Sequence, residues 1–253
     1  MGKIQSVERA LKILEILAEY PDGVGVTEFS LKLNVAKSTA HRLLNTLLSQ
    51  HYVAKDERTD NYILGTQILF IANQALENMS IVEIAKAEIN KLSDLTNETV
   101  HLCLFDKDEV VYIDKVESNQ TIRMYSRVGK RSLMHCTGVG KAILAFLKKE
   151  EVKEILSRKG MPEFTKKTIT TLDEMWQELE KISKDGFALD DIEHEEGIRC
   201  VAAPIFDHNK KPIAAISISA PSTRVSFEKA TNELSKLVKQ SAAAISYDLG
   251  SKR

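Results

Sequence analysis

Apolar positions recur every three or four residues at Val7, Ala10, Leu11, Leu14 and Leu17, the spacing of a helix with one buried stripe. Ser6 stands where a capping residue belongs, and "YPDG" at residues 20–23 supplies the proline and glycine that close the segment. Thr27 stands as the cap of a short second helix running to Leu33, after which Asn34 and Val35 leave room only for a tight turn. The helical period resumes in "KSTAHRLLNTLL". Here Ala40, Leu43, Leu44, Leu47 and Leu48 share one face, and Ser38, Thr39, His41, Arg42, Asn45 and Thr46 share the other. Two helices joined so closely have helix-turn-helix spacing. "HYVAKDERTDNYILG" then reads as strand, charged turn and strand. Three helices and a hairpin predict a winged helix-turn-helix.

Beyond it, "LGTQILFIANQALEN" keeps a helical period with little charge and predicts a linker helix, and a second helical pattern covers residues 81–95. The period then drops to two. "VHLCLFDKDEVVYIDKV" makes two strands around a polar turn, and "TIRMYSRVGKRSLMH" continues as strand and loop. "GVGKAILAFL", "KEEVKEILSRKG" and "TLDEMWQELEKISKDG" predict three helices, the last capped by Thr171 and stopped by Gly186. "IRCVAAPIFD", the turn "HNKK" and "PIAAISISA" form a further hairpin, and a long helix closes the chain. The class is α+β, an antiparallel sheet covered by helices, distinct from the front domain. The boundaries fall at 1–63 for the winged helix-turn-helix, 64–79 for the linker helix and 80–253 for the α+β domain.

Composition narrows the possibilities. A chain of 253 residues, 43% hydrophobic and 28% charged, can bury a core and is not dominated by disorder. Lys3, Glu8, Arg9, Lys12 and Glu15 interrupt the apolar pattern of the opening, which excludes a signal peptide or membrane span there, so the chain is expected in the cytoplasm. Cys103, Cys136 and Cys200 form no CxxC pair and leave an odd one over, as reduced thiols do.

The net charge of −1 says nothing about a nucleic-acid partner, but its distribution does: residues 27–52 carry Lys32, Lys37 and Arg42 against Glu28 alone. A polar face without acid, on the second helix of a tight helix-turn-helix and followed by a hairpin bearing Lys55 and Arg58, suits double-stranded DNA better than mere solvation. Lys37, Ser38 and Thr39 lie where helix N-terminal amides meet a phosphate. Arg42 is the candidate for a base edge, with His41 and Asn45 behind it and Thr27 on the preceding helix. The modest charge implies weak binding per module and hence two modules on a palindromic operator.

"HCTGVGKA" glances at a phosphate loop, but His135 stands where the first glycine is needed and Ala142 where Ser or Thr is needed. A glycine turn feeding a helix remains, able to hold a small anion or simply to pack. Asp190, Asp191, His194 and Cys200 fall close together, so a thiol-dependent hydrolase built on Cys200 and His194 and tethered to DNA by the front domain is the enzymatic alternative. His194, Cys200 and His208 lack the ligand spacing of a metal site. Strand alternation places Ser217 and Ser219 on one face, and hydroxyls turned inward need partners, which a small ligand in a polar pocket would provide.

The chain resembles the IclR family of bacterial transcriptional regulators along nearly its whole length. The resemblance runs, in order, through "SVERALKILEIL", "KSTAHRLLNTL", "ETVHLCLFDKDEVVYIDKVES", "HCTGVGKAILAF", "DDIEHEEGIRCVAAPIFD" and "PIAAISISAP". It implies a winged helix-turn-helix, a linker helix and a C-terminal effector domain with a profilin-like or GAF-like sheet, assembled as homodimers or homotetramers. It also implies a small organic-acid effector, no cofactor and no catalysis. Regulators of glyoxylate-bypass genes and of sugar-acid breakdown, the 2-keto-3-deoxygluconate type included, belong to that family. Carried over by residue, the pocket takes the Gly138 and Val139 amides, polar contacts from Asp190, Cys200, Ser217 and Ser219, and apolar walls from Met124 and Ile198. Thr137 stands where several members have Ser. The expected protein is a repressor whose operator affinity follows its effector.

Overall fold

The computed structural model describes residues 2, 4–77, 80–121 and 126–251. The chain divides into two compact units, Met1–Asn78 and Met79–Arg253.

In the first, α1 (Gln5–Glu19), α2 (Val26–Lys32) and α3 (Lys37–Ser49) are followed by the hairpin β1 (Val53–Lys55) and β2 (Tyr62–Leu64), then α4 (Gln67–Glu77). Asn34, at φ 50°, makes the tight turn between α2 and α3, a left-handed conformation that asparagine tolerates. The core joins Ile13, Ile16 and Leu17 of α1 to Phe29, Ala40, Leu44, Val53 and Tyr62, with Phe29 and Tyr62 meeting edge to face at 6.5 Å. The expected apolar face of α3 is turned inward, with Ala40 and Leu44 buried and Leu43, Leu47 and Leu48 half-buried. Two expected caps are corrected. Helix α1 begins after Ile4, which leaves Ser6 inside the first turn, and α2 begins after Gly25, which leaves Thr27 inside it. Bridging of Val24 to Tyr62 fixes where the chain enters α2, and that pairing overrides the hydroxyl's preference for the cap.

The second unit opens with α5 (Ser80–Thr96), β3 (Thr99–Asp106), β4 (Glu109–Val116) and β5 (Arg131–Leu133). It continues through α6 (Gly138–Leu144), α7 (Lys149–Lys159), α8 (Leu172–Asp185), β6 (Ala188–Asp191), β7 (Ile198–Phe206) and β8 (Pro212–Pro221). The closing helix comprises α9 (Phe227–Lys229), a π-helical turn at Ala230–Leu234 and α10 (Ser235–Asp248). The six strands are ordered β5-β4-β3-β8-β7-β6, and every neighbouring pair is antiparallel. Strand β6 was not expected from the acidic string in which it lies. One sheet face packs large aliphatic side chains, among them Val100, Leu102, Val201, Ile216 and Ile218, against α5 and α10. The other packs Cys103, Tyr112, Ala188, Ala202 and Ala215 against α6, α7 and α8. Small residues on this second face leave room beneath α6, and the polar residues gather there.

Helix α6 is buried throughout. It starts at Thr137, whose Oγ1 accepts from the Gly140 amide at 3.2 Å. Thr171 caps α8 and Gly186 ends it in the left-handed conformation, both as the sequence predicts.

Candidate functional site

On α3, Lys37, Ser38, His41, Arg42, Asn45 and Thr46 are exposed and Thr39 is half-buried, while Thr27 is exposed on α2. No side chain caps the N-terminus of α3, so its first amides are open to an anion. His41 Nδ1 lies 3.2 Å from Asn45 Nδ2 one turn on, which holds two candidate base-reading groups side by side. The wing is less basic than its sequence suggests. Lys55 lies 2.5 Å from Asp60, and Arg58 lies 3.5 Å from Asp56. Asp56 is held below the usual carboxylate range chiefly by the Arg58 main-chain amide, which donates to it at 2.8 Å.

In the second unit, Tyr112, Thr137, Gly138, Val139, Asp190, His194, Cys200, Ser217 and Ser219 surround a nearly closed cavity of about 10 Å³. Strand register explains the convergence. Asp190 pairs with Cys200, Cys200 with Ser219 and Ser219 with Thr99, while Ala202, Ser217 and His101 form the next row on the same face. Six of the expected residues therefore meet: Gly138, Val139, Asp190, Cys200, Ser217 and Ser219. Ile198, half-buried at the start of β7 opposite Pro221, is not among the lining residues. Met124 lies outside the described residues.

Asp190 is 2% exposed, and its Oδ1 accepts from the amides of Glu193 at 2.7 Å and His194 at 3.3 Å. Burial, with the nearby Glu193 charge, pushes its carboxyl up to about 7. A buried cation in the neighbourhood, Lys141 of α6, is committed elsewhere: its Nζ lies 2.5 Å from Glu193 Oε1 and 3.3 Å from Glu178 Oε1. That ion pair ties the loop after Asp190 to the helix that begins at Gly138.

The three thiols are buried. Burial raises Cys200 well above its ordinary value, and a hydrogen bond from Ser219 offsets only part of this. His194 Nδ1 faces Cys136 Sγ at 3.5 Å rather than Cys200. Burial pushes Cys136 up to about 12 and His194 down to about 4, the opposite of an activated thiolate and its base. Among the described residues no cluster of three or more His, Cys, Asp or Glu could hold a metal, and no helix is long and apolar enough to cross a membrane.

Two family models cover this architecture: residues 6–57 match the IclR helix-turn-helix domain, and residues 73–247 match the bacterial transcriptional regulator IclR C-terminal domain. The chain belongs to the IclR family of bacterial transcriptional regulators. It is 38% identical over 247 residues to the HTH-type transcriptional regulator KdgR of Dickeya chrysanthemi, covering 98% of this chain and 80% of that protein. It is 33% identical over 254 residues to the transcriptional repressor IclR of Escherichia coli (strain K12), covering 100% of this chain and 92% of that one. The crystal structure of the Thermotoga maritima IclR aligns with a TM-score of 0.81 and 38% identity, over 96% of this chain and 98% of that chain. The IclR family consists of DNA-binding transcriptional regulators rather than enzymes, so the thiol-hydrolase alternative falls with the chemistry of Cys200 and His194.

Sequence reasoning missed Tyr112 as a wall of the cavity and gave Thr137 and His194 no place in it. Tyr112 faces inward from β4, whose pairing with β3 slips opposite Leu102 and Cys103, so counting along the strand could not place it. Thr137 carries a local signal, a hydroxyl three residues before a glycine at a helix start. His194 carries none, since it lies in a loop brought over the sheet by β6.

Proposed function

We propose that the protein is an operator-binding repressor whose affinity for DNA is set by a small keto or hydroxy carboxylic acid held in the cavity beneath α6. In this reading residues 1–63 read the operator, residues 64–79 link, and residues 80–253 sense. Arg42, His41 and Asn45 address base edges. Lys37, Ser38, Thr39, Thr27, Lys55 and Arg58 address phosphates, the last two after release from their carboxylates. The observation that carries the sensing role is the meeting of the start of α6 with Asp190, Cys200, Ser217 and Ser219 around one enclosed space. Helix N-terminal amides and hydroxyls favour a carboxylate, and Asp190 favours a ligand hydroxyl or rejects ligands without one.

The size of the space supplies the coupling. About 10 Å³ admits at most a single water molecule. An organic acid enters only if the walls part, so the occupied and empty arrangements differ and a ligand preferring one shifts the population. The Escherichia coli relative IclR is a transcriptional repressor, which favours the repressing sign. Self-association goes with this reading: α1 exposes Val7 and Leu11, and α4 exposes Leu69 and Phe70, surfaces suited to a second copy of the chain. The test titrates a labelled promoter fragment with the full chain, with and without members of a panel of organic acids that raise its melting temperature. Stabilising acids that loosen DNA binding support the proposal, and acids that stabilise without altering it count against it.

A further inference from the structure

Behind the cavity lies a histidine that touches neither space nor solvent. His101 of β3 is fully buried, with Nε2 2.8 Å from Ser126 Oγ and Nδ1 3.3 Å from Ser219 Oγ. Its ring meets Tyr112 edge-on at 5.1 Å. Lys115, its neighbour across β4, donates to the Ser126 main-chain carbonyl at 2.6 Å. Burial first, and the Lys115 charge second, hold the imidazole down at about 3, so it is uncharged under ordinary conditions.

A neutral imidazole has one N–H and one lone pair and cannot donate to both hydroxyls. Two arrangements satisfy the chain. In one, Nε2–H donates to Ser126 and the Ser219 hydroxyl donates to Nδ1, which leaves only lone pairs on Ser219 for the cavity. In the other, Ser126 donates to Nε2, Nδ1–H donates to Ser219, and the single proton of Ser219 is left for whatever the cavity holds. Ser219 borders the cavity that α6 opens onto, and its uncharged neighbour Cys200 is too weak an acceptor to keep that proton. An oxyanion there is served by the second arrangement alone. Its donors all point the same way, and each polarises the next.

We propose that His101 is a specificity-determining positioning residue of the cavity: as the Nδ1–H tautomer, supplied by the Ser126 hydroxyl, it commits Ser219 to donate to an oxygen anion of the bound acid. The proposal rests on the reading of the cavity as an organic-acid site, and its test separates the two.

Ring-nitrogen NMR of the full chain with 15N-labelled histidine distinguishes a protonated from a bare nitrogen without any ligand. The His101 signals are assigned by their loss in His101→Asn. The expected result is a protonated Nδ1 and a bare Nε2 from about pH 6 to about pH 8. A protonated Nε2, alone or together with Nδ1, overturns the proposal. Glycolate and 2-oxobutyrate then serve as probes in thermal-shift titrations. His101→Asn keeps an amide N–H in place of Nδ1 and retains the wild-type affinity, whereas His101→Leu weakens it about tenfold, the scale of one charge-assisted hydrogen bond. If His101→Leu binds as tightly as wild type, the role of His101 falls while the sensing role stands. If neither these two acids nor any other member of the organic-acid panel stabilises the wild type, the sensing role falls and takes the role of His101 with it.

Discussion

Asp190 concentrates the electrostatic problem of the second unit in one carboxyl. Its protonation in the folded state persists up to about 7, against 3.8 ordinarily. Between those values the folded chain holds a proton that the unfolded chain has lost, so stability falls as pH rises through that window and the loss is complete above it. His101 and His194 act with the opposite sign: burial depresses both, and stability is lost as pH falls below the ordinary value of 6.5. Asp190→Asn separates the two effects, because the amide imitates the neutral acid and still accepts from the Glu193 and His194 amides. We expect its melting temperature to exceed that of wild type by the most at about pH 8, by a smaller margin near pH 5, and to match it only below about pH 4. Differential scanning calorimetry at the first two pH values checks this, and equal differences at the two would count against a raised Asp190. On α3, Arg42→Ala removes an exposed guanidinium. Its loss should cost about 1–3 kcal/mol of operator affinity and relax the preference for operator over unrelated duplex. Fluorescence anisotropy with both duplexes is the measurement, and unchanged affinity and preference would disqualify α3 as the reading helix.

Two glycines show how elements hold the candidate sites in place. A Cβ on Gly65 would stand 2.1 Å from the His51 carbonyl oxygen, where β2 ends against the end of α3. Gly65→Ala should therefore displace the wing and destabilise the front unit by about 1–3 kcal/mol, the range for overpacking. Chemical denaturation followed by circular dichroism reads the change. A Cβ on Gly140 would stand 2.4 Å from the Met134 carbonyl oxygen and force the first turn of α6 away from β5. Since α6 carries the Gly138 and Val139 amides, Gly140→Ala should abolish the thermal shift given by organic acids while leaving ligand-free promoter affinity within about twofold, as expected for separate units. Loss of both together would mean that the variant fails to fold rather than that it fails to sense. Such contacts are illegible in the sequence, where these two glycines look like ordinary turn residues. The helix period, the hairpins and the stop at Gly186 were legible because they depend on neighbours a few residues away.

At the scale of the whole molecule, a stripe of exposed apolar side chains on α1 and a small, nearly closed cavity in the second unit are features that a lone chain leaves unexplained. Val7 is 52% and Leu11 55% exposed, and both border a groove of about 580 Å³ between α1 and α3 that Leu14, Leu43 and Leu47 also line, with Thr39, Arg42 and Thr46 of the polar face of α3 at its other side. Exposure of this kind is what the proposed self-association would cover. If the chain self-associates through this face as proposed, Val7→Glu combined with Leu11→Glu should yield smaller species in sedimentation velocity and weaken promoter binding by an order of magnitude or more, since two modules bind a palindrome far more tightly than one. An unchanged sedimentation coefficient would place the interface elsewhere.

Residue order by itself determined what depends on local forces: the helices and the hairpin strands, though not β6, the acid-free face of α3, the alternation that puts Ser217 and Ser219 on one strand face, and the ordered motifs that carry the resemblance to the IclR family. Each is set by backbone period, capping or turn chemistry within a few positions along the chain. Tertiary structure alone decided that β6 brings Asp190 opposite Cys200 and that His194 faces Cys136. It alone decided that the wing cations rest on their own carboxylates and that His101 joins Ser126 to Ser219. Those pairings link residues through sheet register, burial and side-chain direction, quantities that exist only once the chain has closed on itself and shed water from between its layers.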